Sequence, residues 1–160
     1  MRPAEELRYL VLAIQREGNR LFAADLRPIG VTPSQAEVIR VLHDHQPLTL
    51  LGLGELLVCE TGSSPSRLVD RLVTMGMVQR DTDATDRRQV TLSLTAAGQE
   101  AAARIAVAEE RLYRTIDEFT DGTPVSEALV LLRALAGAFP AGEALARRAE
   151  RAERAEEATS

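Results

Sequence analysis

Between Ser63 and Gly98 the chain reads SSPSRLVDRLVTMGMVQRDTDATDRRQVTLSLTAAG, an order of helix, strand, charged turn and strand that few folds accommodate. Ser64-Pro65 opens the helix, because a hydroxyl residue caps free N–H groups and proline suits the first helical position. Stepping 100° per residue puts Ser63, Ser66, Arg67, Asp70, Arg71 and Thr74 on one side, with Leu68, Val69, Leu72, Val73 and Met75 opposite. Gly76 supplies the stop. Met77 to Asp81 and Gln89 to Thr95 then alternate as strands, the second setting Val90, Leu92 and Leu94 against Thr91 and Ser93. The turn-like DTDATD between them makes a β-hairpin with a polar tip.

The flanking segments read as helices. Leu7, Leu10, Val11, Ile14, Leu21 and Phe22 recur at three- and four-residue spacing from Ala4 to about Leu26, where Pro28 and Gly30 end the pattern. Thr32-Pro33-Ser34-Gln35 reads as a capping box, followed by inward-facing Ala36, Val38, Ile39, Val41 and Leu42 and a stop before Pro47. Leu48-Thr49-Leu50 can pair beside the hairpin. A short helix is expected from Leu51 to Val58, weakened by Gly52 and Gly54 at about 1 kcal/mol each relative to alanine. Thr95 caps a long helix to about Phe119, Thr123-Pro124 opens another to about Phe139, and Pro140 and Gly142 interrupt. The Ala/Arg/Glu-rich stretch beyond them is expected to be a solvated or frayed helix.

One domain with a real core suits 160 residues, and 45% hydrophobic with only 3% aromatic content suits helices rich in Ala, Leu and Val. No run approaches the roughly 18 to 20 apolar residues of a membrane span, and the first residues lack a signal-peptide cleavage site, so a cytoplasmic protein without membrane partners is expected. Cys59 is the sole cysteine, which excludes an internal disulfide framework. The net charge of −5 speaks against bulk attraction to phosphate, but five acids gather in the last 18 positions. From Glu60 to Thr91 five arginines balance five acids, so any nucleic-acid contact depends on where each arginine points.

Leu51 to Val58 and Ser64 to Met75, joined by a tight turn, form a helix-turn-helix whose second helix offers hydroxyls and guanidiniums outward. Arg67 or Arg71 can take guanine bidentately or grip a phosphate, and the serines at the helix start sit where free N–H groups favour phosphate. The chain here resembles the MarR family of winged helix-turn-helix transcriptional regulators. The matching residues are RLVDRLVTMGMVQR (Arg67 to Arg80), the hairpin-tip motif Asp83-Ala84-Thr85-Asp86-Arg87-Arg88, and Leu94-Thr95-Ala96-Ala97-Gly98. Residues 5 to 140 fit the family's helix order. Gly52 and Gly54 depart from the alanine-rich helix common in the family, and the tail past Pro140 is an extension the family does not explain.

The resemblance implies a mainly α fold with a small β-hairpin wing and one domain over residues 1–140. Within it the winged helix-turn-helix spans about 32–95 and the dimerisation helices about 4–26 and 95–139, with residues 141–160 as a polar extension. It implies a homodimer, more often a repressor, reading a pseudo-palindromic operator in double-stranded DNA and answering a small-molecule effector bound between the dimerisation helices and the DNA-binding lobe. The DNA-contact set is then Thr49, Ser63, Ser64, Ser66, Arg67, Asp70, Arg71, Arg87 and Arg88, with Arg88 entering the minor groove. Asp86 positions the wing by holding Arg71 or Arg88. Leu12, Arg16, Leu21 and His45 are the expected effector-pocket residues.

Two other readings stand beside this one. Oxidation of Cys59, just before the recognition helix, would make the protein a thiol-based sensor. Alternatively, the winged helix is a protein–protein module that has lost DNA binding. His43 and His45 point about 200° apart on a helix and do not chelate one metal. No metal or cofactor is expected, and no nucleophile elbow or glycine-rich phosphate loop supports an enzyme.

Overall fold

Thr32 sets where the central helix begins. In the computed structural model, which describes residues 1–58, 64–82 and 90–159, its hydroxyl accepts the Gln35 N–H at 3.3 Å while the Gln35 side-chain carbonyl accepts the Thr32 N–H at 2.9 Å. Two end-of-helix donors are thereby satisfied reciprocally. The helix that follows, α2 (Pro33–His45), buries Ala36, Val38, Ile39, Val41 and Leu42 completely. It touches α1 (Pro3–Leu26), α3 (Leu50–Gly54), α4 (Pro65–Thr74) and α5 (Ala96–Thr120), and so forms the axis of one apolar core.

The two helices of the helix-turn-helix are α3 and α4. The first departs from expectation: it starts at Leu50 and ends at Gly54 instead of running from Leu51 to Val58. Thr49 caps it by accepting the Gly52 N–H at 3.0 Å, which brings the start forward, and the two glycines leave only five residues helical. Leu53 and Leu56 still reach the core, fully buried.

Helix α4 behaves as its periodicity predicts over most of its length. Leu68, Val69 and Leu72 are buried, and Val73 packs against them in part. Met75 departs from the expected apolar face and is 39% exposed, because it lies past the last helical residue, where the chain turns out through Gly76. That turn is a Schellman closure: Met77 N–H donates to Leu72 C=O and Gly76 N–H to Val73 C=O, both at 2.9 Å, with Gly76 at φ 70°.

Strands β2 (Val78–Thr82) and β3 (Val90–Leu94) pair antiparallel with Val78 opposite Leu94, and β1 (Leu48–Thr49) adds to the other side of β3 with Leu48 opposite Leu92. Val78, Leu92 and Leu94 point into the core, while most of β2 faces outward.

Helix α5 is buried only over its first half, at Ala101, Ala102, Ile105 and Ala108. Beyond that, Tyr113, Ile116 and Phe119 are exposed, as are Leu129 to Leu132 on α6 (Val125–Ala136) and Tyr9, Leu10 and Ile14 on α1. The C-terminal region departs from expectation in where its first helix ends. Helix α6 ends at Ala136, and Pro140 begins a 20-residue helix, α7 (Pro140–Thr159), bent by 119° from α6. Of the two states expected for this stretch it takes the helical one, largely exposed, although Ala144 is 3% exposed and two of the helix's arginines bond to the rest of the chain. No single described helix is long and apolar enough to cross a membrane.

Candidate nucleic-acid interface

The outward face of α4 is built on the buried row Leu68, Val69 and Leu72, which fixes the helix's rotation about its axis. That rotation leaves Arg67, Asp70 and Arg71 exposed, with Ser64 and Ser66 at the first turn joined hydroxyl to hydroxyl at 2.9 Å. Arg67 and Arg71 make no ion pair among the described residues, so both guanidiniums extend from a rigid base into solvent. Of the expected contact residues, Ser64, Ser66, Arg67, Asp70 and Arg71 therefore share one element. Ser63, Asp86, Arg87 and Arg88 lie outside the described residues, and so does Cys59.

Two expected contact residues have intramolecular work. Thr49 is half-buried and its hydroxyl oxygen caps α3 by accepting the Gly52 N–H. Asp70 is ion-paired with Arg80 of β2, across the turn at Gly76. Its carboxylate is a positioning group that leans the Arg80 guanidinium toward α4. One strand residue further, Asp81 accepts from the Ser93 hydroxyl at 2.6 Å and from the Gln79 amide, which stiffens the outer face of the hairpin base.

Arg80 is the functional candidate that sequence reasoning passed over. It lies inside the quoted RLVDRLVTMGMVQR, but its meeting with Asp70 crosses from helix to strand and follows no helical period. Replacing Asp70 with asparagine is expected to release Arg80, raise affinity for non-operator DNA and steepen the log-affinity against log-salt slope by about one phosphate's worth. Fluorescence anisotropy on random duplex at several salt concentrations measures it, and an unchanged slope would show that Arg80 stays off the DNA.

The expected effector pocket does not assemble from its four residues. Leu12 and Arg16 share a hollow of about 370 Å³ along α1 with Tyr9, Ala13 and Glu17. Leu21 does not line it. His45 lines a separate cavity of about 600 Å³ with Arg147, Glu150, Arg151 and Arg154, because α7 folds back over the end of α2. His43 bonds instead to Gln99 of α5, Nδ1 to Oε1 at 3.0 Å, and no described group of three His, Cys, Asp or Glu side chains is arranged to hold a metal.

Burial lowers the pKa of His45, Arg151 and Arg148 lower it further, and Asp44 opposes them. A histidine whose folded pKa lies below its unfolded value contributes stability that is present above the unfolded value and lost as pH falls through the folded one. The melting temperature should therefore drop on acidification through the imidazole range, and His45→Gln should drop less. Parallel melting curves of the two proteins across that range would contradict the assignment.

Residues 31–98 match the winged helix DNA-binding domain family. The multiple antibiotic resistance protein MarR of Escherichia coli K12 is 29% identical over 89 residues, 56% of this chain and 61% of that protein. The organic hydroperoxide resistance transcriptional regulator of Bacillus subtilis 168 is 28% identical over 98 residues, 61% and 66% of the two chains. Residues 31–98 carry a winged helix DNA-binding domain, and the chain is similar to MarR.

Among solved MarR-type structures, a mutant E. coli MarR complexed with operator DNA superposes at a TM-score of 0.67, with 25% identity over 84% of this chain and 94% of that one. The S. aureus MepR–DNA complex superposes at 0.74, with 21% identity over 82% and 97%, and shares the fold. The chain spans about half to two thirds of the length of the curated relatives it matches.

Proposed function

We propose that this protein is a transcriptional regulator that binds operator DNA as a homodimer, acts as a repressor and releases DNA in response to a small effector. One observation carries the reading: Arg67 and Arg71 stand exposed, without ion pairs among the described residues, on a helix whose inner face is locked into the core. Sequence-specific recognition needs this arrangement, with base-reading side chains on a rigid helix and phosphate contacts that set its register. The similarity to a hydroperoxide resistance transcriptional regulator, and to a MarR structure complexed with operator DNA, supports it.

Dimerisation is supported by apolar side chains that a monomer leaves in water. Tyr9, Leu10 and Ile14 on α1, with Ile116, Phe119, Val130 and Leu131 on α5 and α6, are large apolar side chains left exposed, a surface suited to a partner. Two recognition helices placed by such a dimer would read two half-sites about one helical turn apart. For the effector, the hollow around Leu12 and Arg16 is the part of the expected pocket that supports the reading. A regulator of this kind works in the cytoplasm and catalyses no reaction.

The test is a titration of genomic fragments selected by the protein itself. Affinity should fall log-linearly with salt and survive competitor DNA at a specific site, and sedimentation should give twice the monomer mass. A salt-independent association, or none, would leave a protein–protein module as the better reading.

A further inference from the structure

We infer that α7 is a strap that positions the reading head, acting through one carboxylate, Glu37. This inference rests on the reading that α4 contacts DNA. Glu37 sits on α2 with its side chain only 10% exposed, and its Oε1 accepts two donors at once. One is the Val58 backbone N–H at 2.8 Å; the other is the Arg148 guanidinium of α7 at 3.0 Å. One residue earlier on α7, Arg147 donates through Nε to the Glu55 carbonyl at 3.1 Å, at the end of α3. Glu55 and Val58 bracket the exit from the first helix of the helix-turn-helix, so α7 and Glu37 together hold the chain where it leaves α3 for α4.

The physical logic is that of a nearly buried charge. A carboxylate withdrawn from water is costly unless paired, and Arg148 supplies the pair from a segment 111 residues away in sequence. Removing α7 would take the Arg148 guanidinium away from the same carboxylate oxygen that holds the Val58 N–H. Seating of α7 and the position of residues 55–58 are therefore coupled. Because α7 follows α6 after a bend at residues 137–139, a displacement of α6 would pull on Arg148 and, through Glu37, on the Val58 N–H. The C-terminal extension then links the apolar face of α6 to the recognition helix within one chain.

Hydrogen exchange at the Val58 amide and operator binding, both on the full chain, test this. Arg148→Ala should speed Val58 exchange and lower operator affinity about tenfold, within the usual range for coupling between sites, while Arg148→Lys should keep most of both. Dimer mass and helix content should stay as in wild type. If Arg148→Ala does not fold, the isosteric Glu37→Gln removes the ion pair alone and should loosen α7, read as faster exchange across residues 140–154. Unchanged Val58 exchange in Arg148→Ala, or unchanged α7 exchange in Glu37→Gln, overturns the strap. A wild type that binds no DNA but whose Val58 exchange still responds to Arg148→Ala keeps the strap and overturns the DNA-binding reading instead.

Discussion

Gly98→Ala is expected to destabilise the protein by at least about 1–3 kcal/mol, the usual cost of forcing an extra carbon into packed surroundings, and to lower its melting temperature by roughly 2–12 °C. A Cβ at this position would lie 2.0 Å from the Met77 carbonyl oxygen, with the Leu94 Cβ at 3.2 Å. The obstacle is backbone, which has little freedom to move. Met77 C=O already accepts the Thr95 N–H at 3.1 Å, and Thr95 in turn donates to Gly76 C=O and caps α5 by accepting the Gly98 N–H. The start of the long helix is thus laced onto the turn after α4, and the motif Leu94-Thr95-Ala96-Ala97-Gly98 acquires a physical reason. Thr95 makes the cap, and Gly98 gives the clearance that lets the cap sit against the sheet. Gly18→Ala is the control, since nothing lies within 4 Å of a Cβ there and the site is mid-helix. It should be neutral or stabilising by up to about 1 kcal/mol. Equal melting temperatures for the two variants would refute the close approach.

Arg67→Ala and Arg71→Ala should each weaken operator binding by about 5- to 150-fold, equivalent to the roughly 1–3 kcal/mol of one good bidentate base contact. Neither change should alter folding, because both side chains are exposed and form no ion pair among the described residues. Arg67 occupies the first turn of α4, the part of a recognition helix that approaches base edges, whereas Arg71 lies one turn further along. Arg67→Ala is accordingly expected to relax specificity at one base pair of each half-site. Arg71→Ala tests the phosphate role: a uniform loss across sequences, with the salt slope reduced by about one, assigns it there. Binding by both variants at wild-type affinity, measured by anisotropy on the selected operator, would remove α4 from the interface.

Much of this site can be read along the chain because its signals are local. The Thr32 capping box, the Thr95 cap, the Gly76 stop and the buried row Leu68, Val69 and Leu72 each involve residues within about five positions of one another. Helical and strand periods report such relations directly. Where the local signal weakened, so did the expectation. Helix α3 is shorter than its apolar pattern suggests, because Thr49 and two glycines outweigh it. Met75 falls off the apolar face because the helix has already ended.

The remaining features join residues far apart in sequence. Asp70 meets Arg80 only because the Schellman turn folds β2 back beside α4, and Glu37 meets Arg148 only because α6 and α7 bend apart by 119°. The division of the expected pocket into two hollows has the same origin, since α7 covers His45 and leaves Leu12 and Arg16 on open α1. Chain order alone is enough to place a capped amphipathic helix ahead of a hairpin, the order of a winged helix domain. Which charges orient that helix, and which helix straps it, depends on packing between distant segments, because an ion pair needs a few ångströms of proximity and leaves no period in the sequence.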